Sequence, residues 1–340
     1  MVQLRIYHED ERQILVTPRE GETRLGETVG LALPGCLVDE ALVQSPARFV
    51  ILGLPEDIGV RANGGVGGAH TAWPGFLKSF MHIQQTAAFR GEDFLLLGEY
   101  DFSGWLVNCS SASIEQLRSY TAHIDAEVHP LIHKIVAAGK IPVVVGGGHN
   151  NAYPLLKGTA LALGKPLNAI NLDAHSDYRV MEGRHSGNGF RYAHQEHFLI
   201  RYAMLGLHEA YNSQPVVAEL NSNPDLLPLF WEDMFLRGKT GWEESLHQAL
   251  DFVSDAPFGV ELDLDCIQHV LSSAATPVGI TTQHALQYLY QCGLHANARY
   301  VHLPEGVVER ADGQHDVFTG KLLSYLVQAF TKGVLERQSS

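Results

Sequence analysis

Short apolar runs alternate with longer stretches of helical pattern along this chain. The runs are rich in β-branched and other large apolar residues, as is typical of strands. Eight strands are predicted, at residues 48–54, 94–100, 141–148, 167–173, 200–207, 226–231, 258–265 and 299–304. Helices are predicted from Thr71, over 113–139, from about Asn151 and over 319–335. The pattern therefore predicts an α/β protein.

Several of the predicted strands are continuously apolar rather than alternating, for example RFVILGL and IPVVVGGG. Strands of this kind are buried on both faces, as in a parallel sheet with helical crossovers. Periodicity alone does not distinguish an eight-stranded barrel from an open, doubly wound sheet. Because no repeat or linker interrupts the pattern, residues 1–340 are expected to form a single domain, with 1–45 as a less regular N-terminal appendage.

Composition narrows the range of functions. The chain has 340 residues, with 24 Lys and Arg against 38 Asp and Glu, and its formal net charge is −14. This acidic balance argues against nucleic-acid binding, which depends on neutralising phosphates. The four Cys lie far apart and are expected to be free thiols of a cytoplasmic protein. Neither a secretory leader nor an apolar run of membrane length is visible in the sequence.

Polar residues follow several predicted strands, where the functional residues of parallel sheets gather. After one strand, Asp173, His175 and Asp177 alternate, so that extended backbone places all three on one face. Asp263 and Asp265 share a face in the same way. Like charges in a buried strand repel each other, and this favours a compensating cation.

A third polar segment, GGGHNN, places His149 close to these carboxylates if the strands are neighbours. Together the three segments supply two imidazoles and four carboxylates, a set that matches a two-metal site. Mixed nitrogen and oxygen ligands without a thiolate favour Mn²⁺ over structural zinc. Each segment taken alone is also consistent with a solvated loop or a helix cap. Glu261 is expected to face away from the site and to support the ligands or the fold rather than bind a metal itself.

The order and spacing of GGGH, DAHSD and ELDLD resemble the arginase family, whose members are binuclear manganese hydrolases. Two further segments are also similar to sequences of that family, GLPEDIGVRANGGVGGAH and ATPVGIT. The resemblance implies an open, doubly wound α/β/α sheet and two Mn²⁺ ions per subunit. It also implies the ligands of the two ions: His149, Asp173, Asp177 and Asp263 for one, and Asp173, His175, Asp263 and Asp265 for the other.

The resemblance further implies a reaction. In that family the two ions make hydroxide available at neutral pH, and it attacks the carbon of a guanidinium or formimidoyl group. Asp177 would then relay a proton. The chain has Gly-Gly-Gly-His where arginases usually read Gly-Gly-Asp-His, and Phe190 where they carry a proton-shuttling His. Both departures are similar to formimidoylglutamases, and His185 and His194 are the candidates to replace the missing His.

The implied activity is thus that of a formimidoylglutamase, which converts N-formimidoyl-L-glutamate and water to L-glutamate and formamide in histidine degradation. Three alternatives stay open at this point. They are an arginase- or agmatinase-type ureohydrolase that releases urea, a metal-binding but inactive family member, and a single-zinc deacetylase. Trimers or hexamers are common in the family, so the resemblance also implies a homo-oligomer.

Substrate contacts are expected at four further positions. In the family, a Glu after the last strand binds the planar cationic end of the substrate; Glu305 fits this role, with His302 as the competitor if the alignment shifts by three residues. Arg191 is a candidate partner for a substrate carboxylate, with a structural ion pair as the alternative. Asn150 and Asn151 either line the pocket or cap the following helix.

Overall fold

A computed structural model describes residues 2–337 of the chain, in which nine strands form one sheet. In chain order the strands are β1 (Gln3–Ile6), β2 (Phe49–Gly53), β3 (Phe94–Asp101), β4 (Ile141–Val145), β5 (Leu167–Leu172), β6 (Leu199–Leu207), β7 (Leu226–Phe230), β8 (Phe258–Leu262) and β9 (Ala298–Leu303). Their order across the sheet is β1-β3-β2-β4-β9-β8-β5-β6-β7. β1 is antiparallel to β3, and the other pairings are parallel.

Helices cover both faces of this sheet. In chain order they are α1 (Glu9–Leu15), α2 (Leu25–Thr28), α3 (Val38–Gln44), α4 (Ile58–Ala62), α5 (Ala72–Phe80), α6 (Ser103–Asn108), α7 (Ile114–Ala137), α8 (Ala152–Leu163), α9 (Gly189–Gln195), α10 (Gln214–Ser222), α11 (Trp242–Val253), α12 (Thr282–Leu294) and α13 (Thr319–Glu336). The helices predicted from the sequence correspond to α5, α7, α8 and α13.

Strand side chains alternate between two apolar cores. In β2, Phe49 and Ile51 pack on one face with residues of α5, α11, α12 and α13. Val50 and Leu52 pack on the other face with residues of α7, α8, α9 and α10. The sheet is therefore the middle of three layers, and its strand order begins at β1 and ends at β7 without closing. The prediction of an open, mostly parallel α/β/α sheet is confirmed.

The number of strands differs from the prediction of eight. The additional strand is β1, within the N-terminal segment that the pattern indicates to be irregular, and this segment also contains α1, α2 and α3. Gln3 pairs with Asp101 and Ile6 with Gly98, so that β1 extends the sheet at its edge. A four-residue edge strand of mixed polarity presents no continuous apolar run, and the pattern therefore misses it.

Local chemistry agrees with the observed helix ends. Ser113 precedes α7 and accepts a hydrogen bond from the N–H of Gln116 at 3.3 Å, as an N-cap does.

All four Cys are free thiols, with Cys36 partly exposed and the other three buried. Between residues 2 and 337, no helix combines the length and the apolar character that crossing a bilayer requires.

The topology brings four strands together at the centre of the sheet. The chain runs from β4 to β5 across the two strands that come later in sequence, so that the central order is β4-β9-β8-β5. Because these strands are parallel, their carboxyl ends meet at the same edge. A reversal of strand order of this kind creates a crevice where doubly wound proteins bind ligands.

Candidate active site and metal centre

The predicted site residues follow the four central strands, one segment after each. His149 lies in the short 3-10 turn His149–Asn151 after β4, and Asp173, His175 and Asp177 lie in the segment after β5. The remaining residues, Asp263 and Asp265 after β8 and Glu305 after β9, complete the group. The structure thus brings together all six predicted metal ligands and Glu305.

The turn after β4 is built around a buried carboxylate, that of Glu56. Oε1 of Glu56 accepts the N–H of Gly148 at 3.0 Å and the amide groups of Asn150 and Asn151 at 3.2 and 2.7 Å. Gly147 has a φ of 80°, and a Cβ there would lie 2.5 Å from the amide of Asn151. The two Asn side chains therefore brace the turn that presents His149, and Asn150 is not directed into the pocket as the sequence suggests.

One group of candidate ligands surrounds Nδ1 of His149, which is fully buried. The Oδ2 atoms of Asp177, Asp263 and Asp173 lie 2.9, 3.1 and 3.3 Å from this nitrogen. None of these contacts has hydrogen-bond geometry, and both ring nitrogens of His149 are without a hydrogen-bond partner among the described residues. Three carboxylate oxygens and an imidazole nitrogen thus converge with no hydrogen bond joining the nitrogen to the oxygens, an arrangement that suits a bound cation.

A second group of candidate ligands adjoins the first. Nδ1 of His175 lies 3.1 Å from Oδ2 of Asp265 and 3.6 Å from Oδ1 of Asp173. The two oxygens of Asp173 thus face different groups, as a bridging ligand requires. Asp263, the second bridge that the family resemblance implies, stands with His149 only, and its Oδ1 accepts the N–H of Asp265 at 2.8 Å.

The buried carboxylates of the cluster outnumber its imidazoles, so the cluster carries an excess of negative charge. Burial and repulsion by Asp265 and Asp173 raise the pKa of Asp263 well above its usual value. Burial and the charge of Asp173 raise the pKa of Asp177 to about 6. Burial alone would lower the pKa of His149, but its close contacts with the carboxylates raise that pKa well above the usual value. Divalent cations would relieve this repulsion.

The two residues expected to take part in catalysis share an unusual backbone. Asp177 and Glu305 have φ values of 45° and 64°, in the left-handed region that side chains other than glycine rarely adopt. Oε1 of Glu305 accepts the N–H of His149 at 3.0 Å, and Oε2 accepts the hydroxyl of Ser273 at 3.0 Å. Burial and repulsion by Asp265 raise the pKa of Glu305 to about 8. Strained backbone of this kind often marks functional positions.

Asp177 and Glu305 line a pocket of about 610 Å³ that opens beside the carboxylate cluster. Its lining also includes uncharged polar side chains and one guanidinium, that of Arg179. The guanidinium donates to Oδ1 of Asn63 at 2.7 Å and to Glu182 at 3.1 Å, and the side chain is half exposed. The pocket is therefore lined by both acidic and basic groups.

Arg191, the cation singled out in the sequence, lies elsewhere. It forms a two-bond ion pair with Glu219, at 2.8 and 2.6 Å, and its Nε donates to the carbonyl of Tyr178. The structure therefore does not bring it to the pocket, and the alternative of a structural ion pair describes its position. Sequence reasoning missed Arg179, although it stands two residues after Asp177 and period-two alternation continued through that segment would have included it.

The other histidines near the site have structural contacts. His302, the competitor of Glu305, is fully buried below the cluster, and only Glu305 of the two lines the pocket. Nδ1 of His185 accepts the N–H of Gly187, and burial lowers the pKa of His185 to about 4. His194 is hydrogen-bonded to the hydroxyl of Tyr178. The structure thus brings neither candidate for the missing proton shuttle into the pocket wall.

Aromatic rings hold both candidate metal-binding histidines in place. Phe190 meets His149 edge to face at 5.2 Å and stacks on Tyr202 at 4.2 Å. Tyr211, which lines the pocket, stacks on His175 at 5.2 Å and 16°. Because apolar contacts restrict the rotation of an imidazole, these rings fix the directions in which the two Nδ1 atoms point.

Comparison with known proteins places the chain in a family. A model of the arginase family matches residues 47–303. The formimidoylglutamase of Geobacillus thermodenitrificans (strain NG80-2) is 32% identical over 185 residues, which cover 52% of this chain and 51% of that protein. That of Geobacillus sp. (strain WCH70) is 31% identical over 191 residues, 54% of each chain. The chain spans about half the length of the curated relatives it matches.

Solved structures share the fold over more of the chain. The formimidoylglutamase of Bacillus subtilis subsp. subtilis str. 168 has a TM-score of 0.75 at 18% identity, covering 94% of both chains. The formiminoglutamase of Trypanosoma cruzi with Mn²⁺₂ has a TM-score of 0.69 at 19% identity, covering 93% of this chain and 99% of that one. The structural similarity establishes the common fold, and the family model covers more than half of the sequence. This chain belongs to the arginase family.

Proposed function

We propose that this protein is a formimidoylglutamase, a metal-dependent hydrolase of a linear amidine C–N bond. The observation that carries the proposal is the charge of one pocket, whose lining includes the carboxylates of Asp177 and Glu305 beside the candidate metal ligands and one guanidinium, that of Arg179. N-formimidoyl-L-glutamate carries a cationic amidine on its α-nitrogen and two carboxylates, so it offers a partner for both kinds of charge. The formimidoylglutamases among its relatives support the same activity.

Two Mn²⁺ ions are part of the proposal. The residues that would hold them are His149, Asp173, Asp177 and Asp263 on one side and Asp173, His175 and Asp265 on the other. The family resemblance adds Asp263 to the second set. Nitrogen and oxygen donors without a thiolate suit Mn²⁺, and the Trypanosoma cruzi formiminoglutamase was solved with Mn²⁺₂. Ions in such a pair lower the pKa of water, so that hydroxide is available at neutral pH.

The side chains of the pocket would orient the substrate and move protons. Glu305 would bind the amidine, whose positive charge offsets the repulsion between this carboxylate and Asp265. Arg179 would bind a substrate carboxylate with its planar guanidinium. Asp177 lines the same pocket, where its carboxylate would accept a proton and return it to the leaving nitrogen.

The rival substrates differ in what they offer to Arg179. Agmatine has no carboxylate for Arg179, whereas arginine has one and N-formimidoyl-L-glutamate has two. The charge of the pocket therefore disfavours agmatine, and the products of the reaction distinguish the other two substrates. The alternative of an inactive metal-binding member is opposed by the presence of Asp177 and Glu305 in the pocket next to the candidate ligands.

The first prediction is the product of the reaction. Purified protein loaded with Mn²⁺ is expected to release formamide from N-formimidoyl-L-glutamate and no urea from arginine or agmatine. Formamide and urea can be measured in parallel on the same preparation, with protein kept in a chelator as the control. Urea from arginine in the absence of formamide would show that the enzyme is a ureohydrolase. If neither formamide nor urea is released, the alternative of an inactive metal-binding member is favoured.

A second prediction concerns substrate recognition. Arg179→Ala is expected to raise KM for N-formimidoyl-L-glutamate by about 10- to 100-fold, since a hydrogen-bonded contact with a charged group contributes about 1.5–3 kcal/mol. The matched control is Arg191→Ala, which removes the same side chain from an ion pair outside the pocket. Steady-state kinetics of both variants measure the difference. Equal KM values in Arg179→Ala and the unmodified protein would rule out the carboxylate contact.

Location and assembly complete the proposal. The protein is proposed to work in the cytoplasm as a homo-oligomer, a trimer or hexamer as is common in the family, on a small-molecule substrate. The free thiols of Cys36, Cys109, Cys266 and Cys292 support a reducing compartment. Light scattering of the purified protein would determine the subunit number.

A further inference from the structure

Behind His149, on the side away from the pocket, lies a second polar cluster that the proposed reaction does not use. It consists of Glu261 on β8 and of His302 and Tyr300 on β9, all fully buried. Glu261 and His302 are directly opposite each other in the parallel pairing of these strands. The expectation that Glu261 faces away from the site is wrong, because its Oε2 lies 3.4 Å from Nε2 of His149.

The carboxylate of Glu261 is surrounded by three side chains that can donate hydrogen bonds. Its Oε1 accepts the hydroxyl of Tyr300 at 2.7 Å, and its Oε2 lies 2.7 Å from Nδ1 of His302. Oε2 also lies 3.4 Å from Nε2 of His149. A buried carboxylate without a cation is costly unless donors surround it. The strands are shaped for this arrangement, since a Cβ at Gly259 would lie 2.3 Å from the ring of Tyr300.

The two nitrogens of His149 thus face different surroundings. Nδ1 faces the carboxylates of the candidate metal centre, and Nε2 faces Glu261. An imidazole that binds a metal through Nδ1 carries its proton on Nε2, and that N–H needs an acceptor where water is excluded. Histidine ligands commonly donate this second N–H to a carboxylate, which fixes the tautomer and makes the ligand nitrogen more basic.

We infer that Glu261, held by His302 and Tyr300, is a positioning residue that accepts the Nε2–H of His149 and so directs Nδ1 at one of the two metal ions. The inference rests on the metal binding in the proposed function and is independent of which substrate is hydrolysed. The inference concerns the hydrogen bond between His149 and Glu261, and therefore only the metal ion that His149 would bind. His175, the imidazole of the other group, stacks on Tyr211 instead.

The test is to measure the two Mn²⁺ affinities of the full-length protein separately. Glu261→Gln replaces the carboxylate with an amide of the same shape. The NH₂ group of this amide would face side chains that donate hydrogen bonds themselves, and one acceptor oxygen is lost. One Mn²⁺ is expected to bind about 10- to 100-fold more weakly, the usual cost of losing such a partner, with the other unchanged. Titration calorimetry gives the affinities, and electron paramagnetic resonance at one equivalent of Mn²⁺ per site distinguishes a coupled pair from an isolated ion.

Two tyrosines provide a matched comparison. Tyr300→Phe removes one donor to the Glu261 carboxylate and is expected to weaken the same ion by a smaller factor; it also serves if Glu261→Gln does not fold. Tyr288→Phe is the control, because its buried hydroxyl donates to the backbone carbonyls of Ile170 and Glu261 and leaves the carboxylate untouched. It is expected to lower Tm without changing either affinity.

The outcomes separate this inference from the proposed function. The inference would be overturned if Glu261→Gln and Tyr300→Phe both bound each Mn²⁺ with an affinity within about twofold of that of the unmodified protein. Such a change would be well below the expected loss. Equal losses in Tyr288→Phe would also overturn it, as would a third Mn²⁺ bound between His149, Glu261 and His302. If the unmodified protein binds two Mn²⁺ and hydrolyses no formimidoylglutamate, the function fails, while the selective effect of Glu261→Gln still stands.

Discussion

Asp173→Asn is expected to abolish both metal binding and turnover. Asp173 is the carboxylate common to the two candidate groups, with Oδ2 3.3 Å from His149 and Oδ1 3.6 Å from His175. An Asn at this position would present an NH₂ group to a cation and remove one negative charge from both sites. The loss in kcat/KM should exceed the roughly 100-fold that partners outside the coordination shell cost. Elemental analysis of bound Mn²⁺ and the formamide assay measure the two effects.

The control for this substitution is Asp255→Asn. Asp255 forms an exposed ion pair with Arg201 at 2.8 Å, and exposed pairs contribute little to stability. Its variant should bind two Mn²⁺ and retain full activity. An Asp173→Asn protein that still binds both ions with unchanged affinity would contradict the assignment of Asp173 as the bridge.

Removal of the metal is expected to make stability depend strongly on pH. In the metal-free protein the pKa values of Asp177 and Glu305 are raised, to about 6 and about 8, and that of Asp263 is raised well above its usual value. A group whose pKa is higher in the folded state stabilises that state at low pH, and this contribution is lost as pH rises through the folded pKa. The raised pKa values of His149 and His175 act in the same direction.

Tm of protein kept in a chelator should therefore fall by more than about 5 °C between about pH 5 and about pH 8.5. Mn²⁺ binds the deprotonated ligands, so its stabilising effect should grow over the same range. Differential scanning fluorimetry at a series of pH values, with and without Mn²⁺, measures both trends. The lowered pKa values of Asp173 and Glu261 act only in strong acid and leave this window unaffected. The pKa of His185, lowered to about 4, opposes the trend at the acidic end of the window, and the more numerous groups with raised pKa values outweigh it.

Glu305→Gln provides the internal control for the pH series. Gln does not titrate, so the metal-free variant should lose less stability between about pH 5 and about pH 8 than the unmodified protein does. A chelated protein whose Tm is constant, or rises, across this range would contradict the proposed electrostatics of the cluster.

The strands of the central sheet and the candidate ligands could be predicted from the sequence for a physical reason, whereas the choice of an open sheet over a barrel came from the family resemblance. Parallel strands end at a common edge, so polar residues that directly follow strands must meet if the strands are neighbours. His149 and Asp263 come together in this way although they follow different strands of the sheet. What the sequence could not provide was the identity of the neighbours, since the central order β4-β9-β8-β5 mixes early and late strands.

The predictions that differ from the structure concern side chains whose partners lie far away in sequence. Arg191 follows the DAHSD segment closely, but α9 directs it to Glu219, and the pocket cation is Arg179. The surroundings of Glu261 depend on its register with β9, which no pattern within β8 reveals. The Asn150 amide is likewise drawn to Glu56, 94 residues earlier in the chain.

The left-handed backbone of Asp177 and Glu305 has a consequence for how this protein can change over generations. Non-glycine residues in such conformations cost roughly 1–3 kcal/mol each, and burial of the two carboxyl groups adds to that cost. Substitutions to glycine would relieve the backbone while removing the chemistry, so loss of activity is favoured thermodynamically at both positions. Under the proposed function, selection for turnover would hold these two residues in place against that drift.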